Sequence, residues 1–253
     1  MTSLPGIDLL AAPEKATDLV LLAHGGVVDS LDPAGGWRAA ILRMWPLALA
    51  AHSAAPGAAV GLMRYRYRGW NGTEAHPAND LRTVLDGLPS SIRRVVLIGH
   101  SMGGRAVVAA GNHPSVSGVL GLAPWLPDGE PLVALRGPVV LAHGTLDRIT
   151  DPAATAAYAR RLRATGVPVA LVSVEGEKHA MLHRSGDWNE LVRRFVATAL
   201  GDPTDCPALT TESDRVDPLP LWNRPGGNAA GVRDIAAARL RLRVLGSQAL
   251  EQV

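Results

Sequence analysis

The sequence predicts an α/β fold, in which a mostly parallel sheet is covered by helices on both faces. The chain has 253 residues, of which 47% are hydrophobic, so it can fill the core of one sizeable domain. Apolar runs of strand length alternate along the chain with segments of helical periodicity. Because these runs are continuous rather than alternating, they are typical of strands that are buried on both faces.

Apolar runs that mostly end at glycine or proline predict six strands, at residues 18–26, 59–67, 94–99, 116–124, 138–144 and 167–176. Helical spacing of apolar residues predicts helices at residues 36–51, 77–88, 102–111, 151–166 and 187–200. We expect Pro46 to kink or interrupt the first helix, and Asp151 and Pro152 to begin the fourth. Only about seventeen residues precede Asp18, so we expect no earlier strand.

The chain changes character after Gly201, which divides it into a predicted domain at residues 1–201 and a tail at residues 202–253. Residues 202–228 are rich in Pro, Asp, Thr and Gly, which is typical of a linker. Residues 232–250 show a helical face, although the strict alternation of residues 239–245 also fits a strand. The tail can dock on its own domain, join a homodimer or stay disordered, and the sequence does not choose between these.

Charge and cysteine content argue against several functional classes. The net charge is +2 and the arginines are scattered, so we expect no nucleic-acid partner. The single cysteine, Cys206, allows neither an internal disulfide nor a cysteine metal site, and the absence of metal and nucleotide motifs predicts no metal or cofactor. No apolar stretch reaches membrane-spanning length and the first fourteen residues lack Lys and Arg, so we expect a cytoplasmic protein without a membrane span.

One short motif carries most of the functional information. Residues 99–103 read GHSMG, a G-x-S-x-G pattern that stands between a predicted strand and a predicted helix. Such a pattern also arises by chance in a chain with 27 glycines. The strand before it and the helix after it favour a nucleophile elbow, a sharp turn that lifts Ser101 above the carboxyl end of its strand.

A serine hydroxyl needs a histidine base, and the base needs a carboxylate that orients it. On a sheet of this kind the acid and then the histidine follow later strands. Asp147 follows the fifth predicted strand and His179 follows the sixth, as this order requires. Asp151 competes with Asp147 but is better placed to cap a helix.

Two further histidines are alternatives to His179. His183 is predicted on the turn that follows it, where a surface histidine is unremarkable. His100 lies inside the elbow, and we expect it to be packed and hydrogen-bonded rather than catalytic.

These segments resemble the α/β-hydrolase superfamily of serine hydrolases over residues 18–200. GHSMGG at residues 99–104 resembles its elbow, HGTLDRIT at 143–150 its acid loop, and GEKHAML at 176–182 its histidine loop. The resemblance implies that Ser101 is the nucleophile, His179 the general base and acid, and Asp147 the orienting carboxylate. A serine in the nucleophile position argues against the epoxide hydrolases and haloalkane dehalogenases of the superfamily, which use a carboxylate.

The oxyanion hole of such an enzyme needs two backbone N–H groups. One is expected from Met102, which follows the nucleophile. The loop at residues 24–27 (HGGV) resembles the HG-x motif of the family, so Gly26 is the second candidate and Val27 its alternative. A plain glycine turn also fits this loop. Trp70 and Trp125 follow strands at the same edge, where they can line a substrate pocket with Val27 or simply cover the core.

Residues 125–137, where many superfamily members insert a cap, are too short for a helical cap, so we expect an open site on a reduced fold. The sequence therefore predicts a serine hydrolase that cleaves an ester, thioester or related acyl bond of a small-molecule substrate. A peptidase, an acyltransferase or a cofactor-free peroxidase can use the same residues. A member that binds ligands without turnover, or an assembly protein that dimerises through its tail, also remains open.

Overall fold

The computed structural model of the chain describes residues 4–34, 39–201, 217–219 and 221–250. In this part of the chain the strands form one sheet, in the order β1-β3-β2-β4-β5-β6-β7-β8. Their bounds are β1 Gly6–Ala11, β2 Asp18–Ala23, β3 Ala59–Arg64, β4 Arg94–His100, β5 Val116–Leu122, β6 Val139–Gly144, β7 Val169–Val174 and β8 Asp217–Pro218. All neighbours pair in parallel except β1, which is antiparallel to β3.

The described α-helices are α1 Ala39–Leu42, α2 Met44–Ala54, α3 His76–Asp86, α4 Met102–Ala110, α5 Pro152–Arg163, α6 Ser185–Ala199 and α7 Gly227–Leu250, and a short 3-10 helix spans Gly72–Glu74. They cover both faces of the sheet. One core lies between the sheet and α2, α6 and α7, and it contains Leu47 and Phe195. The other core lies between the sheet and α3, α4 and α5, and it contains Leu81 and Leu162. The predicted fold class is confirmed, including the mostly parallel sheet.

Successive residues of the central strands divide between these two cores. In β2, Val20 and Leu22 belong to the first core, whereas Leu19 and Leu21 belong to the second. This division follows from the alternation of side chains along a strand. It explains why the strand segments of the sequence are apolar throughout.

The expectation that no strand precedes Asp18 is wrong. Strand β1 is itself an edge strand and pairs with β3, with Ile7 opposite Met63 and Leu9 opposite Gly61. Its burial is partial, and the Leu9 side chain is 57% exposed. A short strand that pairs on one side and faces water gives a weak apolar signal, so the sequence pattern did not reveal it.

The first predicted helix is interrupted at Arg43 rather than at Pro46. Because α2 begins at Met44, Pro46 lies in its first turn, where its missing N–H removes no helical hydrogen bond. Residues 35–38 lie outside the described residues, and so does the predicted start of this helix at residue 36.

The tail contributes two described elements. The two residues of β8 pair with β7, and α7 is helical through residues 239–245, which excludes the strand alternative there. α7 packs against α2, β1 and α6 and buries Ala238 and Leu242. Most of the predicted linker, residues 202–216, lies outside the described residues. The division of the chain at residue 201 and dimerisation through the tail stay predictions.

Between β5 and β6 the described chain contains no helix and no strand, so no cap domain covers the sheet here. Among the described helices, none combines the length and the apolar character that a membrane crossing requires.

Candidate active site

The three residues predicted to act together follow β4, β6 and β7, whose carboxyl ends meet at one edge of the sheet. Ser101 stands between β4 and α4, Asp147 lies in the loop after β6, and His179 lies in the loop after β7. Parallel pairing therefore brings together side chains that are as many as 78 residues apart in the chain.

Ser101 occupies a strained turn, with φ of 58° and ψ of −121°. The turn is tight because backbones approach closely around it. A Cβ on Gly99 would collide with the carbonyl oxygen of Gly103, and a Cβ on Gly103 would collide with the carbonyl oxygen of Ala23 in β2. The glycines of the motif are thus required by packing, and the turn leaves the serine partly exposed at the edge of the sheet.

The His179 ring lies between Ser101 and Asp147. Its Nε2 is 3.0 Å from the Ser101 Oγ, and its Nδ1 is 2.8 Å from the Asp147 Oδ2. A carboxylate only accepts hydrogen bonds, so the Nδ1–H donates to Asp147. In the neutral ring the Nε2 lone pair then faces the serine hydroxyl, which is the orientation that a general base needs.

Asp147 is buried and fully hydrogen-bonded. Its Oδ1 accepts from the backbone N–H groups of Ile149 at 2.8 Å and Thr150 at 3.1 Å. Its Oδ2 also accepts from the Nε2–H of His143 at 3.1 Å and from the Thr150 hydroxyl at 2.9 Å. Burial raises the pKa of Asp147, but the hydrogen bonds from His143, His179 and Ile149 outweigh it and hold that pKa well below its ordinary value. The carboxylate therefore stays charged beside His179.

The loop after β2 lies against the elbow. A Cβ on Gly25 would lie 3.2 Å from the Ser101 Cβ, and a Cβ on Gly26 would collide with the Met102 side chain and the Arg68 carbonyl oxygen. The N–H of Val27 donates to the Arg68 carbonyl at 3.0 Å, so it is engaged within the protein. Of the two candidates for the second oxyanion donor, Gly26 is therefore the better placed.

The two tryptophans predicted for a pocket lie together beside the elbow. Their ring centroids are 6.2 Å apart, and the Arg105 guanidinium lies 3.9 Å from the Trp70 ring and 4.7 Å from the Trp125 ring. Both rings line a cavity of about 580 Å³, which Val27 does not line. Trp70 is only 3% exposed, so it also covers the core. A role for these residues in substrate binding stays a prediction.

Solved structures of other proteins are similar to this chain. A putative α/β hydrolase of unknown function from Agrobacterium tumefaciens has a TM-score of 0.59 and 15% identity, over 78% of this chain and 92% of that one. Esterase PE8 has a TM-score of 0.58 and 18% identity, over 78% and 100% of the two chains. Est1E from Butyrivibrio proteoclasticus, solved with ferulic acid bound, has a TM-score of 0.56 and 14% identity, over 78% and 94%.

The chain has the α/β-hydrolase fold. The fold that its sequence motifs implied is thereby confirmed. The model of the prolyl oligopeptidase family matches residues 127–203 of the chain, a segment that includes Asp147 and His179. None of the curated proteins matches its sequence.

His100, the histidine inside the elbow, is buried beside His179. Its Nε2–H donates to the backbone carbonyl of His179 at 3.0 Å, and the two ring centroids are 4.8 Å apart. Burial, and secondarily the nearby His179, lower the pKa of His100 to about 3. The ring is therefore neutral at ordinary pH, and its contact with the backbone fixes the place of His179.

The histidine loop is held by a second buried group, Glu177. Its carboxylate accepts from the backbone N–H groups of Lys178 at 2.9 Å and Arg184 at 2.7 Å, and from the Trp188 indole N–H at 3.1 Å. Further along this loop, the carbonyl of Met181 accepts a hydrogen bond from the guanidinium of Arg43, which stands between α1 and α2. Both ends of the loop around His179 are thus tied to the core.

The remaining alternatives take other places. The Asp151 side chain accepts from the Ala153 N–H at 2.8 Å and caps α5. His183 is exposed and makes no hydrogen bond with Ser101 or Asp147 in the described structure.

Sequence reasoning missed three residues that support the site: His143, Thr150 and Glu177. His143 and Thr150 stand in the same HGTLDRIT segment as Asp147, and His143 is four residues before it. A polar residue at the carboxyl end of a buried strand is the available signal for His143. Glu177 gives the same signal after β7, because an acid at the end of a buried strand needs donors.

Proposed function

We propose that this α/β hydrolase is a serine hydrolase, which cleaves an ester, thioester or related acyl bond through an acyl-enzyme. One observation carries the proposal: the His179 ring bridges the Ser101 hydroxyl, at 3.0 Å, and the buried Asp147 carboxylate, at 2.8 Å. A serine, a histidine and a carboxylate in this order are the components of an activated nucleophile.

In the proposed first step, the Ser101 Oγ attacks the acyl carbon while His179 Nε2 takes its proton. The charged Asp147 stabilises the imidazolium that forms, because its own pKa lies far below neutral. His179 then gives the proton to the leaving alcohol or thiol, and the acyl–oxygen or acyl–sulfur bond breaks. Water repeats the sequence on the acyl-enzyme and releases the acid.

The negative oxygen of each tetrahedral intermediate needs donors that are already in place. We assign this role to the backbone N–H groups of Met102 and Gly26. Met102 begins α4, so its N–H lies among the first N–H groups of the helix, which have no partner inside the helix. The second donor is assigned to Gly26 because the backbone at this position lies against the Met102 side chain, beside the elbow.

Labelling by a fluorophosphonate probe, together with turnover of p-nitrophenyl butyrate, tests the proposal. We expect Ser101 to be labelled, and we expect Ser101→Ala and His179→Ala to lower turnover by roughly 10³-fold or more. Matched controls are Ser53→Ala on the exposed side of α2 and His183→Ala before α6, both of which should stay active. Full turnover in Ser101→Ala would overturn the proposal.

A peptidase is the second candidate, because the prolyl oligopeptidase family model matches residues 127–203. The same residues can attack an amide carbonyl, and the leaving amine then takes the proton from His179. A panel of peptidyl p-nitroanilides and p-nitrophenyl esters of the same acyl groups separates the two. We expect ester cleavage with little amide cleavage; amide turnover at comparable kcat/KM would favour the peptidase.

A further inference from the structure

The proposed function determines where the leaving group of the substrate lies in the site. If His179 gives its proton to the leaving oxygen or sulfur, that atom must lie beside His179 Nε2. Whatever the leaving group carries then extends over the surface around His179. The chemistry of that surface sets which leaving groups fit.

A cavity of about 620 Å³ lies at this place. It is lined by the loop after β6 and the loop after β7, through Leu146, Arg148, Ile149, Lys178, His179 and Ala180. The side chains of Leu146 and Ile149 are 50% and 75% exposed, so the walls present apolar surface to a bound molecule. Since His179 itself is part of the lining, the cavity adjoins the reacting atoms.

Two cations face this cavity, Arg148 from one loop and Lys178 from the other. Both side chains are exposed, and neither forms an ion pair with a described residue. Three acids of the same loops are engaged elsewhere, and the fourth, the exposed Glu175, does not line the cavity. Asp147 holds His179, Glu177 binds N–H groups of its own loop, and Asp151 caps α5. The lining of the cavity therefore carries a cation from each loop and no acid.

We propose that this α/β hydrolase prefers acyl esters or thioesters whose leaving group carries a negative charge, which Arg148 and Lys178 bind beside His179. The apolar walls hold the body of the leaving group, and the two cations hold its carboxylate or phosphate. In the reaction the acyl–leaving-group bond breaks, the Ser101–acyl bond forms, and the leaving group departs with the proton from His179. The negative charge stays on the leaving group throughout.

Two esters that differ only in this charge test the preference: 3-acetoxybenzoate, with an anionic leaving group, and 3-acetoxybenzamide, with a neutral one. Each kcat/KM is divided by the rate constant of hydroxide hydrolysis of the same ester, which removes the difference in intrinsic reactivity. We expect the anionic ester to be favoured about three- to tenfold, which suits weak interactions with two exposed cations. The preference should fall as ionic strength rises.

The double variant Arg148→Gln/Lys178→Gln should bring this ratio close to one. Its matched control is Lys15→Gln/Arg93→Gln, which removes the same charges from exposed positions just before β2 and β4, at the opposite edge of the sheet. The control should keep the ratio of the unmodified protein. A second pair, p-nitrophenyl glutarate and p-nitrophenyl pentanoate, places the charge on the acyl side and should respond less to the double variant.

The outcomes separate this inference from the proposed function. Turnover of both esters by Ser101→Ala would overturn the serine hydrolase itself. An active protein without a preference, or a preference that the double variant keeps, would overturn the inference alone. A larger response on the acyl side would place the cations against the acyl group and would also overturn it.

Discussion

At the scale of the residue, the Ser101 backbone is held in a conformation that side chains disfavour. Its φ of 58° lies in the left-handed region, where a non-glycine residue costs roughly 1–2 kcal/mol. Relief of that strain should make Ser101→Gly more stable than Ser101→Ala by about 1 kcal/mol, although both variants lack the proposed nucleophile. Urea unfolding of the two variants measures the difference.

Ser53 provides the matched control, because it lies in α2 on an exposed position. In a helix glycine is less stable than alanine by roughly 0.5–1 kcal/mol. Ser53→Gly should therefore be less stable than Ser53→Ala, with the opposite sign. The same sign at both positions would show that Ser101 carries no strain.

His100 predicts a pH dependence of stability. Its pKa of about 3 in the folded protein lies below the ordinary value of 6.5. Between these values the unfolded chain binds a proton that the folded protein does not, so stability falls as pH falls through this window. Between pH 6.5 and 4.5 the loss is roughly 2–3 kcal/mol.

The variant His100→Gln removes this titration and keeps a side-chain N–H donor. We expect its free energy of unfolding to depend less on pH between 6.5 and 4.5 than that of the unmodified protein. His183→Gln, at an exposed histidine, should keep the original dependence. Parallel profiles for His100→Gln and the unmodified protein would contradict the prediction.

Residue types and chain order were enough to predict which side chains come together with Ser101. An acid after one strand and a histidine after the next leave few alternatives once the strands are parallel. The residues that hold the Asp147 carboxylate in place were not predictable in the same way. Whether His143 or Thr150 reaches the Asp147 carboxylate depends on rotamers and loop paths, which neither spacing nor periodicity encodes.

At the scale of the element, the proposed catalysis requires the loop after β7 to hold His179 to within about 0.5 Å. Glu177 binds its N–H groups, so Glu177→Gln replaces a charged acceptor by an amide with one acceptor oxygen. We expect a loss of about 2–4 kcal/mol in the free energy of unfolding. kcat should fall by about tenfold or more because the loop shifts. Urea unfolding and steady-state kinetics with p-nitrophenyl butyrate measure both.

Glu190→Gln is the matched control for this substitution. Glu190 is part of an ion-pair cluster on α6, where hydrogen bonds from Arg193 lower its pKa to about 2. Because the cluster is partly exposed, its loss should cost less than about 1 kcal/mol and leave kcat in place. Equal effects of the two substitutions would show that Glu177 has no special role in the loop.

The predictability of elements follows how deeply they are buried. The six central strands were predicted within a few residues, because each is covered on both faces and reads as a continuous apolar run. β1 pairs with one neighbour and exposes Leu9, so its residues do not form such a run. The break before α2 was misplaced by three residues, since a proline in a first turn marks the helix start rather than its interruption.

At the scale of the whole molecule, the faces of the sheet provide stability and its carboxyl edge carries the candidate site. The faces bury the two cores, and the carboxyl edge carries the residues that we assign to chemistry. The tail adds the two-residue strand β8 beside β7, and its helix α7 packs on α2, β1 and α6. The described part of the tail therefore packs on the preceding domain.

The two faces of α7 lead to opposite predictions. Leu242 is 2% exposed and packs in the first core, whereas Leu240, two residues earlier on the same helix, is 67% exposed. Leu242→Asp should lower the free energy of unfolding by about 3 kcal/mol or more, since it buries a charge and removes apolar packing. Leu240→Asp should change it by less than about 0.5 kcal/mol, as exposed substitutions usually do.

Urea unfolding measures both changes in stability, and light scattering gives the mass of each variant in solution. If α7 instead mediates a homodimer through its exposed face, Leu240→Asp would halve the mass, and Leu242→Asp would leave the mass of the folded fraction unchanged. The pair therefore distinguishes a helix that stabilises its own domain from a helix that joins two copies.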